Sequence, residues 1–143
     1  MKAPGTSGSP GTIPSAYPIG RSPATDIAAA LALSKVDKLP VLIDFGADWC
    51  PDCVVLNKLY RSSIIEPVLT TRYHLVLVDV GRFDKNLTVA KKYINLETSG
   101  IPALVVLHSN GLRAYASNDG AFSSARTMTA HELLPFLDKW STA

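Results

Sequence analysis

Apolar residues along this chain fall into short unbroken runs and into stretches at helical spacing, and the two kinds alternate. The run at 41–45 has no polar residue until Asp44, the pattern of a strand covered on both sheet faces. Runs at 75–80 and 103–108 read as a second and a third strand. Before the first run, Ser22-Pro23 or Thr25-Asp26 can cap a helix whose apolar positions Ile27, Ala28 and Leu31 carry it to about Ser34. After it, a helix with apolar residues at helical spacing runs from Cys50 to about Arg61. Ser63 and Glu66 have capping-box spacing for a short further helix ending near Arg72, with Pro67 tolerable in its first turn. Asp84 or Asn86 can cap a helix with Leu87, Ala90, Tyr93 and Ile94 on one face. Asn110-Gly111 is a strong hairpin signal, so residues 112–116 should return antiparallel to the third strand. Residues 117–127 read as polar loop. Thr129 and Glu132 form a second capping-box pattern, opening a last helix through Leu133, Leu134, Phe136, Leu137 and Trp140 that Pro135 should kink or shorten. The whole is an α/β pattern.

A length of 143 residues with 47% hydrophobic content suits one compact domain. No apolar run approaches the ~20 residues of a membrane helix. A net charge of +2, with Lys and Arg scattered, does not point to nucleic acid. Residues 1–23 differ in kind, with Gly5, Gly8, Gly11, Gly20 and five prolines (Pro4, Pro10, Pro14, Pro18, Pro23) among serines. They read as a flexible tail or linker ahead of a domain at 24–143. The segment has no apolar core of a signal peptide. It suits either a cytosolic start or a spacer left behind a replaced leader.

The candidate chemistry lies in Trp49-Cys50-Pro51-Asp52-Cys53, which holds both cysteines of the chain at a strand-to-helix junction. Free N–H groups and partial positive charge at a helix N-terminus stabilise a thiolate, which makes Cys50 the nucleophile and Cys53 the partner that closes the disulfide. Pro51 suits the first helical position because it has no N–H to leave unpaired. A structural bridge would close only a two-residue loop and yield little stabilisation. Zinc needs about four ligands, and His74, His108 and His131 lack finger spacing, while an iron–sulfur site on this pair would require a dimer.

Strand, WCxxC, helix, strand, helix, Ile-Pro, strand, hairpin and helix, in that order over residues 24–141, resemble the thioredoxin superfamily. The resemblance implies a thioredoxin fold, a central mixed β-sheet flanked by helices on both faces. Trp49 matches the aromatic residue before the nucleophile, Cys50 and Cys53 the redox pair, and Asp44 the buried acid of the central strand. Gly100-Ile101-Pro102 matches the loop whose Ile-Pro bond is cis and faces the dithiol. Asp79-Val80-Gly81-Arg82-Phe83-Asp84 is similar to bacterial thioredoxin-like proteins, often exported or lipid-anchored. Two departures stand out. Pro51-Asp52 replaces the usual Gly-Pro, and the strand beside Asp44 (75–78) lacks the usual Lys, so the proton relay is expected to rest on Asp44 and water.

Asp44 in an apolar strand should have a raised pKa and serve as base for Cys53. Trp49 should be a partly exposed rim residue, and the backbone beside Ile101 and Pro102 could pair with an extended substrate. Asp52 should disfavour the Cys50 thiolate, with Asp48 adding to this, and so push the pair towards a reductase poise. The three histidines read as structural or surface residues. The reading is a thiol–disulfide oxidoreductase reducing protein disulfides as a monomer. It needs no bound cofactor and takes electrons from a partner thiol or flavin reductase. Its rivals are a disulfide isomerase or oxidase, and a non-catalytic or metal-bridged binding module. The spacer and the resemblance favour a periplasmic, exported or lipid-anchored protein over a cytoplasmic one.

Overall fold

The computed structural model describes residues 13–143. A four-stranded sheet in the order β2-β1-β3-β4 forms its centre, from β1 (Val41–Gly46), β2 (His74–Asp79), β3 (Ala103–Leu107) and β4 (Arg113–Ala116). β1 runs parallel to β2 and antiparallel to β3, and β3 is antiparallel to β4, so the sheet is mixed. Every residue of β1, β2 and β3 is buried. Successive strand side chains point to opposite faces, so full burial means that both faces are covered. The cover comes from helices α1 (Pro23–Asp37), α2 (Pro51–Tyr60), α3 (Glu66–Arg72), α4 (Leu87–Lys91), α5 (Leu96–Ser99) and α6 (Ala130–Trp140).

Local chemistry explains most of the helix starts. Ser22 caps α1 by accepting the N–H of Thr25, and the helix runs past Ser34 to Asp37, where Lys38 ends it in a left-handed conformation (φ 64°). Thr129 and Glu132 close a full capping box on α6, which continues through Pro135. Tyr115 of β4 packs against Phe136 and Trp140 at ring-centre distances of 5.1 and 5.3 Å, tying α6 to the sheet edge.

Three expectations need correction. Residues 13–22, assigned to a flexible tail, lie against the domain: Ile13 and Tyr17 are core residues with 8% and 5% exposure. The backbone there also finds partners, since Tyr17 N–H donates to Asp48 and Asn57 donates to the Pro14 carbonyl. The rest of that tail, residues 1–12, lies outside the described residues. Secondly, the Ser63–Glu66 capping box does not form. Ile65 caps α3 without a side-chain bond, and Ser62 Oγ takes the Ile65 N–H instead. Thirdly, Asn86 stands at the α4 cap position in a left-handed conformation (φ 55°), and its side chain donates to the Asp79 carbonyl rather than accepting from the helix.

Candidate active site

The site is built where β1 hands over to α2. Cys50 is the N-cap of α2 in extended conformation, and its Sγ accepts the Cys53 N–H at 3.2 Å. Pro51 holds the first helical position. A sulfur at this place meets the unpaired N–H groups and the positive end of the helix dipole. Both cysteines are free thiols; Cys50 is 4% exposed and Cys53 fully buried. The Ile101–Pro102 peptide bond is cis, and the Ile101 carbonyl oxygen lies 3.8 Å from Cys50 Sγ. Burial, followed by the charge of Asp44 and the hydrogen bond with Cys50, pushes the Cys53 thiol far above its ordinary value.

Asp44 is fully buried on β1, in register with Leu77 of β2 and Leu104 of β3. Tyr17 Oη donates to one carboxylate oxygen at 2.7 Å and Tyr60 Oη to the other at 2.8 Å. Burial pushes its pKa up to about 6, with the two hydroxyls pulling the other way. Burial first, and then the Asp44 charge, hold both tyrosines well above the usual phenol range. The Asp44 carboxylate is therefore held by a tyrosine hydroxyl at each oxygen. Neither tyrosine is marked by a motif: Tyr17 sits in the segment read as a tail, and Tyr60 reads as one more apolar position of α2.

Trp49 is a rim residue, 44% exposed. Its indole N–H donates to the Gly81 carbonyl at 2.8 Å, the Arg82 guanidinium sits 4.9 Å from the ring centre, and Phe83 packs edge-on at 6.5 Å. The 79–84 segment thus forms one wall beside the dithiol.

Asp52 departs most from expectation. It is not a bare charge opposing the Cys50 thiolate but a buried carboxylate gripped by Arg126. The Arg126 backbone N–H and Nε donate to Oδ1 at 2.9 and 3.0 Å, and Nη2 donates to Oδ2 at 3.1 Å. The hydrogen bonds of the Arg126 side chain hold the Asp52 carboxyl below its ordinary range. The guanidinium thus offsets the charge of the acid two residues after the nucleophile. Asp48, the other acid expected to act on Cys50, is engaged by the Tyr17 N–H at 2.8 Å. Arg126 belongs to a 3-10 turn (Ala125–Thr127) within the segment read as loop, and no motif marks it.

His74 is buried at the opposite end of the sheet, beside Val41, with Nε2 2.8 Å from Asp37. Among the described residues, no group of three or more His, Cys, Asp and Glu side chains could hold a metal ion.

A family model described as thioredoxin-like matches residues 22–109, which span β1 to β3 and all of the Asp44, Cys50, Cys53 and Pro102 positions. The chain belongs to the thioredoxin-like family. Thioredoxin from Buchnera aphidicola subsp. Schizaphis graminum is 31% identical over 99 residues, 69% of this chain and 77% of that protein. Thioredoxin from Buchnera aphidicola subsp. Baizongia pistaciae is 35% identical over 75 residues, 52% of this chain and only 62% of that protein's length. The structure of a disulphide isomerase from Xylella fastidiosa Temecula1 superposes with a TM-score of 0.82 at 34% identity, covering 86% of this chain and 94% of that one. The mixed sheet and its helical cover are therefore a thioredoxin fold, and the family is one of thiol–disulfide oxidoreductases.

Proposed function

We propose that this thioredoxin-like chain reduces protein disulfides through the Cys50/Cys53 dithiol and a mixed-disulfide intermediate. The observation that carries the reading is a dithiol at the N-terminus of α2 beside the fully buried Asp44, whose partner Tyr17 Oη converges with Cys53 Sγ over Gly46. A resolving thiol raised by burial needs a base, and a carboxyl titrating at about 6 is ionised at neutral pH and still basic enough to take its proton. Cys50 thiolate attacks one sulfur of the substrate disulfide, and the other sulfur leaves with the electron pair and takes up a proton. Cys53 then gives its proton to Asp44 and attacks Cys50 Sγ, breaking the mixed disulfide and releasing the second substrate sulfur. The substrate has gained two electrons and the dithiol has lost them. A partner thiol or flavin reductase restores them.

Trp49, Ile101 and Pro102 shape the mouth of the site, where backbone can pair with an extended substrate. Asp52 and Arg126 together leave little net charge beside Cys50, so the reductase poise does not rest on Asp52. A second reading, disulfide isomerisation, is favoured by the likeness to the Xylella protein. We further propose a monomer, periplasmic or lipid-anchored at the outer face of a membrane, on the strength of the Gly/Pro/Ser-rich N-terminal composition.

The test is catalysis of insulin reduction by dithiothreitol, combined with trapping by single-cysteine variants. Cys53→Ser should accumulate stable mixed disulfides and Cys50→Ser should trap little. Equal trapping by both variants, or insulin reduction no faster than dithiothreitol alone, would refute the reading. Equilibration with glutathione separates the two activities, because an isomerase requires a more oxidising pair.

A further inference from the structure

Both oxygens of Asp44 are occupied by tyrosine hydroxyls that reach it from different parts of the chain. Tyr60 comes from α2, 16 residues on; Tyr17 comes from the segment ahead of α1, 27 residues back. That segment is strapped down ahead of Tyr17 and at Tyr17 itself. Ile13 enters the core, the Pro14 carbonyl accepts from Asn57 of α2, and Tyr17 N–H donates to Asp48 in the loop before the nucleophile. The strap also reaches Cys53. A Cβ on Gly46 would collide with Tyr17 Oη and Tyr17 Cζ and lie 2.9 Å from Cys53 Sγ, so the tyrosine and the resolving sulfur converge over one glycine.

The arrangement favours one protonation state. With Asp44 ionised, both hydroxyls donate to it. Once Asp44 is protonated, its own O–H needs an acceptor, and one tyrosine must turn round from donor to acceptor. Two donors on a buried carboxylate thus oppose the desolvation that would otherwise keep it neutral. The titratable groups facing Asp44 are Tyr17 from the strap and Tyr60 and Cys53 from α2. Its neighbours in register on the flanking strands, Leu77 and Leu104, carry no charge.

We propose that Tyr17, delivered by the strap of residues 13–22, is a positioning residue that together with Tyr60 keeps Asp44 ionised at neutral pH and so available to deprotonate Cys53. The proposal rests on the reading of Asp44 as base in disulfide reduction. In the step concerned, the Cys53 S–H proton passes to the Asp44 carboxylate. The Cys53 thiolate bonds to Cys50 Sγ, the substrate sulfur leaves with the electrons of the broken bond and is protonated by water, and Asp44 later returns its proton to solvent.

The experiment is a carboxyl ¹³C NMR titration of Asp44 in the reduced full chain, for wild type, Tyr17→Phe and Tyr60→Phe, alongside the pH profile of mixed-disulfide resolution. Each variant keeps the ring and removes one donor. The Asp44 midpoint should rise by about 1–2 pH units in each, the loss of one hydrogen bond to a charged group. The acidic limb of the resolution rate should move up with it, while the plateau at high pH keeps its wild-type level. Midpoints that stay in place or fall in both variants overturn the proposal, as does a rate lowered at every pH with no shift of the limb. Failure of wild type to reduce disulfides would sink the function reading alone, because the NMR midpoints report on the tyrosines without turnover.

Discussion

Replacing Asp44 by Asn should change the pH dependence of stability by an amount the site itself dictates. The carboxyl titrates at about 6 in the folded protein against 3.8 in an open chain, a gap of roughly two units at 1.36 kcal/mol each, or about 3 kcal/mol. An acid whose folded pKa is raised binds its proton more tightly in the native state. Its full contribution is therefore present below about pH 4, falls as pH rises from about 4 to about 6, and is absent above. Asn carries no charge and escapes this loss. Its amide can accept from one tyrosine and donate to the other, but its second N–H lacks a partner, a constant cost of about 1–3 kcal/mol. The variant should therefore be less stable than wild type near pH 4 and match or exceed it at pH 7, with the difference moving by about 3 kcal/mol across that window. Urea melts of the reduced proteins at several pH values measure it directly. With m near 1–3 kcal/mol/M, the gap between midpoints should swing by about 1–3 M. All other acids titrate in both proteins and cancel in the difference. A difference that stays flat from pH 4 to 7, or swings the other way, refutes the assignment of Asp44 as a buried, ionised base.

The Asp52–Arg126 pair should tune the dithiol with opposite signs from its two ends. Arg126→Gln leaves an unpaired acid beside Cys50 and should make the pair more reducing. Asp52→Asn leaves an unpaired cation and should make it more oxidising, each by roughly 30 mV, a tenfold change in equilibrium constant. Equilibration with glutathione decides, and shifts of the same sign in both variants would show that the pair acts only on structure. Gly46→Ala should cost about 1–3 kcal/mol in a denaturant melt, the usual penalty of overpacking, because its methyl group falls on Tyr17 and Cys53. The same variant should slow mixed-disulfide resolution, measured by stopped flow. A melt unchanged from wild type would mean that the strap does not press on the active site.

Two identical short patterns show where local reading succeeds and fails. Thr129 and Glu132 close their capping box, with the Glu132 N–H donating to the Thr129 hydroxyl and the Thr129 N–H donating to the Glu132 carboxylate. Ser63 and Glu66 have the same spacing, but the Glu66 N–H that Ser63 would accept goes to the Ser62 carbonyl at 2.9 Å, and the turn after α2 takes precedence. Composition failed at residues 13–22 for a related reason. Proline, glycine and serine counts average over a segment, whereas Ile13 and Tyr17 are two side chains that a finished core can accept.

The features legible in the chain alone are local or repetitive. Unbroken apolar runs placed β1, β2 and β3, Asn110-Gly111 placed the return of β4, and Cys50-Pro51 placed the start of α2 with its sulfur at the helix terminus. Each of these follows from interactions within a few residues, which short patterns encode. The surroundings of the dithiol arise from contacts between distant segments. Asp52 meets Arg126 across 74 residues, and Asp44 meets Tyr17 across 27 and Tyr60 across 16. A charge or a hydroxyl carries no label for its partner. Only the mixed sheet, with α2, the 3-10 turn and the N-terminal strap packed around it, brings these groups within hydrogen-bond reach, and burial of Asp44 and Asp52 then makes a partner for each carboxylate obligatory.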